Sequence, residues 1–125
     1  MIIGLGIDMI EVDRVRRLRE RHGERFLDRI LGPLEKEGMH GDPDQYLASR
    51  FACKEAAMKA LGTGWGRGIR WVDLEIVNLE SGKPVLKFHG AAGELVAELG
   101  GKAHVSLSHL RGHAVAIVIL EEQNV

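Results

Sequence analysis

The chain has 125 residues and a mass of 13.8 kDa, with 45% hydrophobic and 28% charged residues, the profile of one globular domain rather than a disordered chain. A net charge of −1 and a pI of about 6.6 exclude a globally basic nucleic-acid binder, and 16 glycines with three prolines exclude collagen-like or low-complexity character. The single cysteine, Cys53, cannot pair internally, and the six histidines lack the paired spacing of a structural zinc site, so a reducing cytoplasm is expected.

Met1 to Asp8 reads as a strand with Ile3, Leu5 and Ile7 on one face and Gly4, Gly6 and Asp8 on the other. Bare glycines beside a carboxylate leave room for a ligand or for another backbone. No basic flank precedes this segment and Asp8 interrupts it, so it does not read as a targeting signal. From about Val12 to Leu31 the period is helical, with a break near Gly23. Val12, Val15, Phe26 and Ile30 share one side; Arg14, Arg17, Arg21, Arg25 and Arg29 share another, with Leu18 among them. Seven arginines against three acids between Arg14 and Arg29 make a local charge imbalance that the net charge conceals. A row of arginines is commonly a solvated face, but like charges at this spacing repel, so an anionic partner is a second reading.

A loop is expected through Gly32-Pro33 and Gly41-Asp42-Pro43, then a second helix from about Asp44 to Leu61, stopped by Gly62. Thr63 to Gly68 is a glycine-rich connection, Val72 to Val77 a strand, Ser81-Gly82-Lys83 a turn, and Val85 to Phe88 another strand. Ala91 to Leu99 forms a short helix. His104–His109 and His113–Leu120 form an antiparallel hairpin around Arg111-Gly112. The longest apolar run, Ala114 to Leu120, is far short of the roughly 20 residues of a membrane helix. Without regular βαβ alternation the class is α+β, an antiparallel sheet packed with helices in a single small domain spanning residues 1–125.

The second helix carries apolar residues in almost every direction, so its charges need explaining. Glu55 and Lys59 are four apart, as are Arg50 and Lys54. An i,i+4 ion pair accounts for such spacing; alternatively Glu55 and Asp8 hold a hard cation while Lys59 reaches a phosphate. Arg50 and Lys54 are candidate phosphate contacts or surface salt bridges on the same grounds. By strand parity with Val105 and Leu107, His109 reads as a hydrogen-bonded core histidine.

Gly6-Ile7-Asp8 followed by Glu11 and Arg14, RFACKEAAMKALGTG at 50–64, WVDLEI at 71–76, GKP at 82–84 and SLSH at 106–109 together resemble the 4′-phosphopantetheinyl transferase superfamily, in particular its short bacterial holo-[acyl-carrier-protein] synthases. The likeness runs from Met1 to about Leu120; Cys53, Leu110 and His113 depart mildly from the usual pattern. It implies a Mg²⁺-dependent transferase acting on coenzyme A and apo-acyl carrier protein in fatty acid biosynthesis. By resemblance, Asp8 and Glu55 bind Mg²⁺ and Lys59 adds a positive centre. Arg50, Lys54, Gly62, Lys83, Pro84, Ser106 and His109 contact coenzyme A, and Arg14, Leu18, Arg21, Arg25, Phe26 and Arg29 dock the acidic carrier. It further implies a homotrimer with sites between subunits. The competing classes are a non-catalytic module using the arginine helix to bind an acidic partner or RNA, and a metal-assisted hydrolase acting on a nucleotide.

Overall fold

A computed structural model describes residues 1–123. In chain order the elements are β1 (Ile2–Glu11), α1 (Val12–His22), α2 (Glu24–Ile30), α3 (Pro33–Glu37), α4 (Pro43–Leu61), a 3₁₀ turn (Trp71–Asp73), β2 (Leu74–Asn78), β3 (Pro84–Phe88), α5 (Gly90–Leu99), β4 (Gly101–His109) and β5 (His113–Glu122). Strands β1, β5 and β4 form an antiparallel sheet in that order, and β2 pairs with β3 separately, so the α+β expectation holds.

Helix α4 is the axle of the fold. Asp42 caps its first turn, accepting from the main-chain N–H groups of Asp44 at 2.8 Å and Gln45 at 3.3 Å. Gly62 ends it in the left-handed region at φ 78°, which glycine adopts without strain. Between these caps Ala48, Ala52, Ala56, Ala57 and Ala60 are buried. Small residues let a neighbouring backbone come close, and β1 answers in kind. A Cβ on Gly6 would lie 1.8 Å from the Ala56 carbonyl oxygen, and one on Gly4 would lie 2.0 Å from that of Ala60. The glycine face of β1 therefore exists for helix packing, which resolves the choice between a ligand and another backbone.

Its apolar face points the other way. Leu5, Ile7 and Met9 stand 60%, 58% and 67% exposed, aligned with the half-buried Ile119, Ile117 and Val115 of β5. The buried side of β5 is the alternate set, Ala114, Ala116, Val118 and Leu120.

The arginine-rich segment breaks at Gly23, φ 60°, as its sequence predicts. Several boundaries differ, among them the start of β4 at Gly101 in place of His104 and the end of β5 at Glu122 in place of Leu120. Strand β1 continues through Ile10 to Glu11, because it is paired with β5 as far as His113. The segment 33–37 is a short helix, with Pro33 serving its first turn rather than breaking structure. Strand β2 begins at Leu74, the preceding residues being wound into the 3₁₀ turn. Among the described residues no helix is long and apolar enough to cross a membrane.

Candidate active site

Packing of β1 on α4 brings Asp8, Lys59 and Glu55 together. The Lys59 ammonium donates to the Ile7 carbonyl at 2.8 Å and to Asp8 Oδ1 at 3.3 Å, so the lysine pairs across to the strand rather than along its own helix. Glu55 instead accepts from the Trp65 indole, Nε1 to Oε1, at 3.3 Å. Partial burial pushes the Glu55 carboxyl up; the Trp65 bond opposes this, the nearby Asp8 charge adds to it, and the positive fields of Lys59 and Arg14 lower it. Two carboxylates thus feel one another at a site whose rim carries cations. Glu55, Met58, Lys59, Gly62, Gly64 and Trp65 line a cleft of about 330 Å³ beside them.

A second cleft of about 320 Å³ opens at the other end of α4. Arg50, Pro84 and His109 line it, as three of the sequence assignments require, joined by His40, Tyr46 and Asn78. The Arg50 guanidinium lies 4.0 Å from the centre of the Tyr46 ring and donates to Ser49 Oγ at 3.2 Å and to Asn78 Oδ1 at 3.5 Å. Its Nε is buried without a partner among the described residues, which suits a residue built to grip an anion. His109 is exposed at the end of β4, so the core-histidine reading fails there. Tyr46 was discoverable, since an aromatic four residues before an arginine on a helix shares its face.

Three of the expected contact residues lie apart from the Arg50 cleft. Lys54 does not reach a substrate phosphate: its side chain is 0% exposed and its ammonium donates to Glu35 Oε1 at 2.6 Å, to the Trp71 carbonyl at 3.1 Å and to the Ile30 carbonyl. Burial pushes the Glu35 carboxyl up and the Lys54 amine down, and their mutual attraction opposes both. Helix α3 supplies Glu35, so missing that helix hid the partner. Ser106 lies three residues before His109 on one strand and so faces the opposite side of the sheet, away from the Arg50 cleft. Lys83 is exposed on its turn and does not line the cleft that Gly82 and Pro84 border. Cys53 is inert, with burial pushing its thiol up to about 12.

On the outer side of α1 and α2, Arg14, Arg17, Arg21, Arg25 and Arg29 are exposed and unpaired among the described residues, while Arg16 and Arg19 are held by the buried Asp44. Leu18 is half-buried between them, and Phe26 shares a groove with His22, Arg25 and Arg29.

Residues 4–118 match the model of the 4′-phosphopantetheinyl transferase superfamily. The chain belongs to that superfamily. It is 48% identical over 124 residues to the holo-[acyl-carrier-protein] synthase of Maridesulfovibrio salexigens, covering 98% of this chain and 100% of that one. Its fold superposes on the holo-[acyl-carrier-protein] synthase of Neisseria meningitidis with a TM-score of 0.91 and 34% identity, over 98% of this chain and 100% of that one. The corresponding enzyme from Bacillus anthracis, solved in complex with CoA (3′,5′-ADP), gives 0.81 and 36% identity, with coverage of 98% and 99%.

Proposed function

We propose that this protein transfers the 4′-phosphopantetheine group from coenzyme A to a serine hydroxyl of an apo-acyl carrier protein, as a cytoplasmic enzyme of fatty acid biosynthesis. The serine oxygen gives up its proton to solvent and forms a bond to the pantetheine-side phosphorus, the bond from that phosphorus to the bridging oxygen breaks, and adenosine 3′,5′-bisphosphate departs with the electron pair. Supporting this reading above all is the convergence of Asp8, Glu55 and Lys59 beside a cleft. Two hard carboxylate oxygens with an adjacent ammonium are the donor set that Mg²⁺ uses when substrate phosphates and waters supply its other positions. Asp8 and Glu55 would hold it; when bound it neutralises charge developing on the diphosphate. Lys59 brings a second positive charge to the departing phosphate, and Arg50 and His109, with Pro84 beside them, hold the nucleotide end.

The exposed arginines of α1 and α2, with Leu18 and Phe26, form a cationic surface suited to an acidic carrier protein, and Arg14 connects that surface electrically to Glu55. Residues lining the Arg50 cleft and the Glu55 cleft do not overlap; α4 gives Gln45, Tyr46, Ser49 and Arg50 to the first and Glu55, Met58 and Lys59 to the second. A homotrimer that buries the apolar outer face of β1 and β5 would set the nucleotide cleft of one subunit against the carboxylates of the next.

The direct test is to incubate protein, apo-carrier, coenzyme A and Mg²⁺ and read the carrier's mass. The parent is expected to add one phosphopantetheine; Asp8→Ala and Glu55→Ala are expected to stay folded and lose that gain by at least about a hundredfold in rate. Coenzyme A breakdown without carrier would instead mark a hydrolase, and full activity in both variants would remove the metal assignment.

A further inference from the structure

Trp65 makes a contact that the transfer chemistry above does not yet use. The indole belongs to the glycine-rich connection 62–68, where Gly62, Gly64, Arg67 and Gly68 all adopt positive φ, between 61° and 78°. That winding turns the chain back on itself and lays Trp65 over Trp71, ring centres 4.0 Å apart and planes 27° apart. Trp71 in turn stacks on Phe51 at 4.8 Å and 28°. Phe51 lies one turn before Glu55 on α4, so the column begins beside Glu55 and returns to it through the Trp65 N–H. The middle ring is fixed from behind as well, since the Trp71 carbonyl accepts from the buried Lys54 ammonium at 3.1 Å.

A glutamate has three rotatable bonds, and ordering them costs entropy each time a ligand is captured. The indole occupies Glu55 Oε1 and leaves Oε2 without a protein donor among the described residues. We infer that Trp65 is a positioning residue: braced by Trp71 and Phe51, its Nε1–H pins one oxygen of Glu55 and presents the other to a divalent cation. The inference rests on Glu55 being a Mg²⁺ ligand, as proposed above. Groups that touch a metal's ligand rather than the metal tune its affinity in the same way.

The test is a titration with Mg²⁺ alone, read in ¹H–¹⁵N spectra, where the two tryptophans give two indole resonances. The resonance missing from Trp65→Phe is expected to move as Mg²⁺ is added to the parent, and to stay in place in Glu55→Gln. Trp65→Phe keeps an aromatic ring in the column and removes the donor. It is expected to raise the half-saturating Mg²⁺ concentration about tenfold, read from backbone amides of the 62–68 segment. Its kcat at saturating Mg²⁺ is expected to stay within about twofold of the parent. Parent-like Mg²⁺ affinity in Trp65→Phe, with affinity lost in Glu55→Gln, would overturn the role of Trp65 and leave the metal reading intact. A parent whose spectrum ignores Mg²⁺ would overturn both.

Discussion

The ammonium of Lys54 lies in a fully buried ion pair with Glu35, and main-chain N–H and C=O groups complete the hydrogen bonding of both. Lys54→Met would leave the buried Glu35 carboxylate with only the main-chain N–H groups of Gly32 and Ile76, and two main-chain carbonyls without their donor. The variant is expected to lose about 3–5 kcal/mol of stability, measured by denaturant unfolding, and any fall in activity should track the loss of folded protein. Lys54 and Glu55 are adjacent in sequence but about 100° apart on α4, which separates the anchor from the reactive group. The sequence exposed both as charges on an apolar helix without telling them apart. Glu55 was set beside Asp8 by the family resemblance and not by its spacing, whereas the burial of Lys54 depended on Glu35, in a helix that the Gly32-Pro33 pair disguised as a loop. Trp65 was illegible for a related reason. Its partner lies ten residues away and is reached only through the left-handed turns of the intervening loop.

Elements position the site through one close approach, β1 against α4. Gly6 and Gly4 are the two points where the strand's main chain rests on helix carbonyls. Gly6→Ala would force the backbones apart at 1.8 Å from Ala56, displacing Asp8 relative to Lys59 and Glu55. A stability loss of about 1–3 kcal/mol is expected, with a larger fall in transfer activity than unfolding alone explains, seen by comparing thermal melts with single-turnover rates. Alternation in the first eight residues showed that a glycine face and an apolar face existed. It did not show which was the core face, because that depends on the helix pressed against it. The hairpin β4–β5 and the Gly62 stop of α4 were legible, since turn glycines and strand parity are local signals, whereas the Asp42 cap was read as loop. Strand parity also separates Ser106 from His109, a consequence already latent in their spacing of three.

At the scale of the whole molecule, two surfaces call for a partner: the arginines of α1 and α2 that are unpaired among the described residues, and the apolar outer face of β1. Reversing the charge at Arg14 and Arg21 together is expected to weaken binding of an acidic carrier by about tenfold or more at low salt, chiefly through the association rate, while coenzyme A binding changes little. Surface plasmon resonance with carrier and calorimetry with coenzyme A would separate the two effects. Ile7→Asp places a charge on the exposed sheet face without disturbing the chain's own core, since Ile7 is 58% exposed. Sedimentation velocity is expected to show a trimer for the parent and smaller species for this variant; a parent that sediments only as a monomer would remove the proposed assembly. Arginine clustering was visible along the chain because a helix repeats it every turn, whereas the separation of two non-overlapping clefts becomes visible only in three dimensions. If neighbouring subunits must meet before either cleft is complete, newly made chains are dormant until enough of them accumulate. Output would then climb faster than copy number when the protein is scarce, and a cell could silence it by dilution alone.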